Sequence, residues 1–190
     1  AGGVEPRVNR KKTVVIKESG MEFGPFDEEV FFHIEKSGLY QHVNSGGGVS
    51  AAEFLLLRCK TPSSAEASSL WVVEAKSSSP RPESNIRFRE FIEEIKSKLH
   101  DSLCLAIAAL MGRHASRCDL PERFHEQDWS TIVIKLVLVI NGHDKKWLEP
   151  VSDALQKTFK PIAMIWGFSS GDVVVINDEM GVRHGLVRKE

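Results

Sequence analysis

Glu74 and Lys76 stand two residues apart at the end of the apolar run Leu70-Trp71-Val72-Val73, and of all residues in the chain they are best placed to do chemistry. Side chains at i and i+2 of a strand share a face, so the carboxylate and the ammonium would lie side by side, about 7 Å apart at their Cα atoms. Packing alone gives no reason for such a pair, because Glu and Lys are rarely fully buried without a partner. A second apolar run, Glu53-Phe54-Leu55-Leu56-Leu57-Arg58, opens with its own acid and connects to the first through Thr61-Pro62-Ser63-Ser64-Ala65-Glu66. Two apolar runs around a Ser/Pro-rich connection read as an antiparallel hairpin with a long loop. Register then decides the site: one pairing sets Glu53 opposite Glu74, a shift of two sets it opposite Lys76, and the shift between them turns it toward Ala75. The apolar pattern accommodates each.

Two carboxylates and a lysine at strand ends suit hydrolysis of a phosphate ester. Mg²⁺ prefers carboxylate oxygens and retains several waters, so Glu53 and Glu74 would hold it against a substrate phosphate. Lys76 would orient or help deprotonate the attacking water and stabilise charge developing on phosphorus.

An acid entering one strand, a loop, and a hydrophobic strand closing on Glu-X-Lys resembles the core of the PD-(D/E)XK superfamily, the restriction-endonuclease-like nucleases. Glu53 matches the first acidic position, and Glu74 and Lys76 match the Glu-X-Lys positions. The chain departs from the pattern by carrying glutamate, after Ala51-Ala52, where the family usually has aspartate. The resemblance implies a further acid on an N-terminal helix, for which Glu35 in Phe32-His33-Ile34-Glu35-Lys36-Ser37 is the first choice, with Glu28 and Glu29 as competitors. It also implies a Mg²⁺-dependent phosphodiesterase, with Mn²⁺ as a substitute ion, acting on nucleic acid, DNA ahead of RNA. Double-strand cutting by a one-site domain would favour a homodimer. Ser77 and Ser78, with Ser79, would bind phosphate from the loop after Lys76.

The elements that must position these residues form an α/β pattern. Thr13 to Lys17 reads as an opening strand, Gly20 to Pro25 as a break, and Asp27 as the N-cap of a helix reaching Ser37 or Gly38. Asn44 to Gly48 is a turn without the Lys-Ser/Thr ending of a phosphate-cradling loop. Phe88, Phe91, Ile92, Ile95, Leu99, Leu103, Ile107 and Leu110 repeat at steps of three and four, which predicts a long helix with one buried face, capped by Ser84 or Asn85 and ended by Gly112. Its Glu90, Glu93, Glu94, Lys96 and Lys98 read as the solvated face. Ile132 to Ile140 has the β-branched density of a central strand, with Lys135 at a solvent exit or contacting phosphate. Trp147 to Phe159 reads as a helix, Ile162 to Trp166 and Val173 to Ile176 as strands, and Asp178 as the cap of a last helical turn. The sum is a single three-layer α/β domain over residues 13–190, a central mixed β-sheet flanked by helices, preceded by a leader, 1–12, that reads as flexible or as an expression tail.

Composition narrows the function classes. The chain has 190 residues, 42% hydrophobic, ample for one core. The net charge of −1 makes it no general polyanion binder, so any nucleic-acid contact would rest on local basic groups. No long apolar run or signal-peptide pattern is seen, and a cytoplasmic protein without membrane contact is expected. Cys59, Cys104 and Cys118 form no Cys-X-X-Cys pair, against zinc and disulfide frameworks. The seven histidines are scattered without compact metal-ligand spacing and read as surface or capping groups, although His114, with Arg113 and Arg117, would suit a phosphate. No Gly-X-Ser-X-Gly elbow is present. Two other readings remain: a catalytically inactive nuclease-like domain serving binding or assembly, and an unrelated α/β protein in which Glu74 and Lys76 are only an ion pair.

Overall fold

The computed structural model describes residues 12–61, 64–116 and 118–188; the leader before Lys12 and the side chain of Arg117 lie outside them. Five strands form a mixed sheet in the order β3 (Phe31–Phe32), β4 (Phe54–Cys59), β5 (Ala67–Lys76), β6 (Val133–Ile140) and β7 (Val173–Asn177). The β3–β4 and β4–β5 pairs are antiparallel, and the β5–β6 and β6–β7 pairs are parallel. Parallel neighbours need crossovers, supplied by α2 (Asn85–Leu110) and the short α3 (Glu122–His125) between β5 and β6 and by α4 (Lys145–Trp166) between β6 and β7. The long helix and the β-branched central strand follow their sequence patterns closely.

Strand alternation divides the core in two. Leu55, Leu57, Leu70, Val72, Leu136 and Leu138 pack on one face against Ile95, Leu99 and Leu103 of α2 and Leu155 and Phe159 of α4. Phe54, Leu56, Trp71, Val73, Val137 and Val139 pack on the other. That second face is covered chiefly by a two-stranded hairpin, β1 (Thr13–Glu18) with β2 (Met21–Asp27), through Ile16, Met21, Phe23 and Phe26, together with Leu186 and Val187 and with α5 (Asp178–Arg183). The layers are therefore helix, sheet and mostly hairpin, rather than helices on both sides.

Several local expectations are corrected. Gly20 to Pro25 does not break the strand pattern: Ser19 and Gly20 take positive φ, +52° and +77°, and form a tight turn between β1 and β2. Asp27 ends β2 and caps a turn, its Oδ1 accepting from the Glu29 amide at 3.0 Å, so no helix starts there. Glu35 consequently lies on a single 3₁₀ turn, Ile34–Lys36, and Ser37 begins α1 (Gly38–Val43) instead of ending a helix, its side chain accepting from the Tyr40 amide. Ile162 to Trp166 is the last stretch of α4, not a strand. Pro161 is accommodated inside that helix, and Met164 and Ile165 face solvent. Asn177, not Asp178, caps α5 by accepting from the Met180 amide; Asp178 instead accepts from the Gly142 amide. Among the described residues no helix is long and apolar enough to cross a membrane.

Candidate functional site

The hairpin register settles where the acids lie. Phe54 pairs with Val73 and Leu55 with Val72, the registration that carries Glu53 to the level of Glu74. Glu53 lies two steps before Leu55 and Glu74 two steps after Val72, so both continue the sheet face that α2 covers. The Glu53 segment is pinned there. Its amide donates to the Val73 carbonyl at 3.0 Å, the Ala52 amide donates to the buried Ser102 Oγ on α2 at 2.7 Å, and the Ser50 amide donates to Asp101 at 3.0 Å.

Glu74 is fully buried, and two lysines meet it: Lys98 Nζ of α2 at 3.0 Å and Lys76 Nζ at 3.3 Å, both from Oε1. These are ion pairs without hydrogen-bond alignment, and Glu74 Oε2 has no hydrogen-bond partner among the described residues. Lys76 also donates to Glu94 Oε1 at 2.6 Å. Burial pushes the Glu74 carboxyl above the ordinary carboxylate range, against the pull of Lys98 and Lys76. Burial would depress Lys98, but Glu74, with smaller contributions from Glu53 and Glu35, outweighs it, and the ammonium ends above its usual value. Lys98 therefore belongs to the site and not to the solvated face that its helix position implies. Its i, i+4 relation to Glu94 sets both against the end of β5, a relation visible in sequence only once α2 is known to cross that strand.

A second group of side chains meets at Glu53. Glu18 at the end of β1, His33 after β3, Glu35 on the 3₁₀ turn and Glu53 each offer one ligand atom, all within 4.8 Å of one another. Glu53 is 6% exposed, its Oε2 lacks a hydrogen-bond partner among the described residues, and so does the buried Nε2 of His33. Burial, then the nearby charges of Glu74, Glu35 and Glu18, push the Glu53 carboxyl up to about 8. Burial and then Lys36 lower His33, favouring the neutral imidazole that binds metals. Glu18 is paired with Lys36 at 3.1 Å, and Glu35 lies 4.0 Å from Lys98. His33 and Glu18 carry no local spacing that marks them; Glu18 reaches the site because the Ser19-Gly20 turn docks on the end of β5, with Ser19 Oγ donating to the Ala75 carbonyl at 3.0 Å and Asn141 Nδ2 donating to the Ser19 carbonyl at 3.1 Å, and His33 because it follows β3, which pairs with β4.

Other expected site residues lie apart. Ser77 and Ser78 are exposed beyond Lys76, whereas Ser79 Oγ lies 2.9 Å from His143 Nε2. Lys135 donates to Asp172 at 3.3 Å, a structural ion pair. Glu28 and Glu29 are exposed outside the metal-holding group. Cys59, Cys104 and Cys118 are free and partly buried. A cavity of about 600 Å³ between the β1–β2 turn and α5 contains none of the clustered acids, and the orphaned buried oxygens mark the chemical site more strongly than that concavity does. A scan of protein-family models and searches of curated proteins and of solved structures each return no match to this chain.

Proposed function

We propose that this domain is a restriction-endonuclease-like, divalent-metal-dependent nuclease that hydrolyses nucleic-acid phosphodiester bonds. The observation that carries the reading is the meeting of Glu53, Glu74 and Lys76 at one end of one sheet face, with Lys98 added from α2. Hydrolysis joins a water oxygen to phosphorus, breaks the bond to the leaving oxygen, and moves one proton from water to that oxygen. Lys76 faces the developing negative charge and orients the attacking water, while Glu74 fixes the direction of both ammonium groups. Lys98 adds a second cation beside the phosphate. Glu53 and Glu74 each keep an unpartnered oxygen, which fits a hard cation such as Mg²⁺, with Mn²⁺ as a substitute. When bound, the ion supplies Lewis acidity toward the phosphoryl oxygens. Glu35 contributes negative charge at the edge of the site, and the exposed Ser77 and Ser78, outside the cluster in the loop after Lys76, are the proposed phosphate contacts. DNA is the proposed polymer, a homodimer the proposed state for cutting both strands, and the cytoplasm the proposed compartment, which three free cysteines support.

A second reading, a nuclease-like module that binds or assembles without cutting, is favoured by the close engagement of Lys76 with Glu94. Incubation of labelled single-stranded DNA, duplex DNA and RNA with Mg²⁺ or Mn²⁺ separates the two. Cutting by the intact chain that falls at least about 10²-fold in Lys76→Ala and in Glu74→Gln is the expected result. Retained cutting in both variants overturns this site assignment. Absence of cutting by the intact chain leaves the module reading.

A further inference from the structure

We infer that Glu18, His33, Glu35 and Glu53 form a mixed imidazole–carboxylate centre for a first-row transition dication. The inference rests on the nuclease reading for its use in turnover, and adds Glu18 and His33 to the ligand set that reading assigns.

The four groups come from separate stretches of the chain: the end of β1, the residues after β3, the 3₁₀ turn and the entry to β4. Each presents one ligand atom, and the four atoms lie within 4.8 Å of one another. Trans ligands of a six-coordinate ion at bond lengths near 2.1 Å stand about 4.2 Å apart, so a small inward movement of side chains completes a coordination sphere. Proximity of acids alone is common on protein surfaces. Here two further observations point inward. Glu53 is 6% exposed and its Oε2 has no hydrogen-bond partner among the described residues, and the buried Nε2 of His33 has none either. Buried polar atoms are nearly always satisfied, and two orphans in one cluster call for a shared partner. A single dication accepts a lone pair from both at once.

The donor set also selects the ion. Mg²⁺ favours oxygen ligands and retained water, while imidazole suits the transition dications. Lys98 and Lys76 crowd Glu74 Oε1 at 3.0 and 3.3 Å, so that oxygen orients lysines, and Oε2 is left facing the group around Glu53 without a hydrogen-bond partner among the described residues. Lys36, paired with Glu18 at 3.1 Å, is exposed and can withdraw to solvent when the ion enters.

The test is titration of the chelator-stripped full chain with Mn²⁺, read by loss of the free-ion paramagnetic resonance signal, and with Mg²⁺ as competitor. One Mn²⁺ per chain, held at least about tenfold more tightly than Mg²⁺, is expected. His33→Gln should lower Mn²⁺ affinity about tenfold or more and erase most of the preference over Mg²⁺. Glu35→Gln and Glu18→Gln, at partly exposed positions where folding is safe, should each weaken Mn²⁺ binding, with near-UV circular dichroism matching the parent. No Mn²⁺ binding by the parent chain, or affinity unchanged across the folded variants, overturns the centre. Binding without nucleic-acid cleavage sinks the nuclease reading and leaves the centre standing; cleavage that survives with unaltered metal preference in His33→Gln does the reverse.

Discussion

At the scale of single residues, the unusual fact is a buried carboxyl that cannot easily ionise. Glu53 titrates near 8 in the folded chain, against an ordinary value of 4.5, because burial and three other carboxylates oppose its charge. An unfolded chain therefore releases this proton first, and linkage makes stability fall as pH rises between the two values. The contribution is fully present below about pH 4.5 and is lost on passing through pH 8. His33, with its folded value lowered, opposes this trend around its ordinary value of 6.5, while Glu74, raised like Glu53, reinforces it. The informative window is thus pH 6.5 to 8. Urea unfolding of the metal-free protein with chelator present should show a declining midpoint across that window, and Glu53→Gln should flatten it. A midpoint that rises or stays level in the parent protein contradicts the assignment.

At the scale of elements, the site depends on how tightly the segment before β4 is held to α2. Ser102 is buried in the middle of that helix, and its hydroxyl accepts from the Ala52 amide at 2.7 Å, next to Glu53. Ser102→Ala leaves a buried amide unpaired, which costs about 1–3 kcal/mol. Denaturant unfolding should show that loss, and the same variant should bind Mn²⁺ more weakly because Glu53 is no longer fixed. A stability loss with unchanged metal affinity would confine the role of Ser102 to folding. Helix α2 does two jobs on neighbouring turns, burying Ile95 and Leu99 against the sheet and aiming Glu94 and Lys98 at the end of β5. The periodicity of its apolar face predicts the first job. It is silent on the second, since a partly exposed lysine on a helix is ordinarily a solvated one.

At the scale of the molecule, the β1–β2 hairpin is both a core layer and the carrier of Glu18. Phe23 of that hairpin is fully buried and meets Phe54 edge-on, with ring centroids 5.4 Å apart. Phe23→Ala removes a large side chain from the layer between hairpin and sheet and should cost about 3–5 kcal/mol. Thermal unfolding checks the loss. Below the new midpoint, metal affinity should also fall, as the hairpin that presents Glu18 loosens. An undisturbed metal affinity in the folded variant would show that Glu18 is not a ligand.

The sequence by itself determined the central strands, the long crossover helix and the α/β alternation, because apolar periodicity reports burial directly. It also brought out Glu53, Glu74 and Lys76, since an acid or a lysine that continues an apolar strand has no packing reason to be there. Tertiary structure alone decided the rest. The register that sets Glu53 level with Glu74 depends on a bulge between Arg58 and Cys59 and on the loop beyond, which the pattern of Leu residues does not encode. Glu18, His33 and Lys98 lie on separate stretches of the chain and carry no common motif. Glu18 and Lys98 converge because a two-residue turn docks on one strand end and a helix crosses it, while His33 follows the edge strand paired with β4, and such long-range meetings are fixed by packing of whole layers, not by neighbours in the chain.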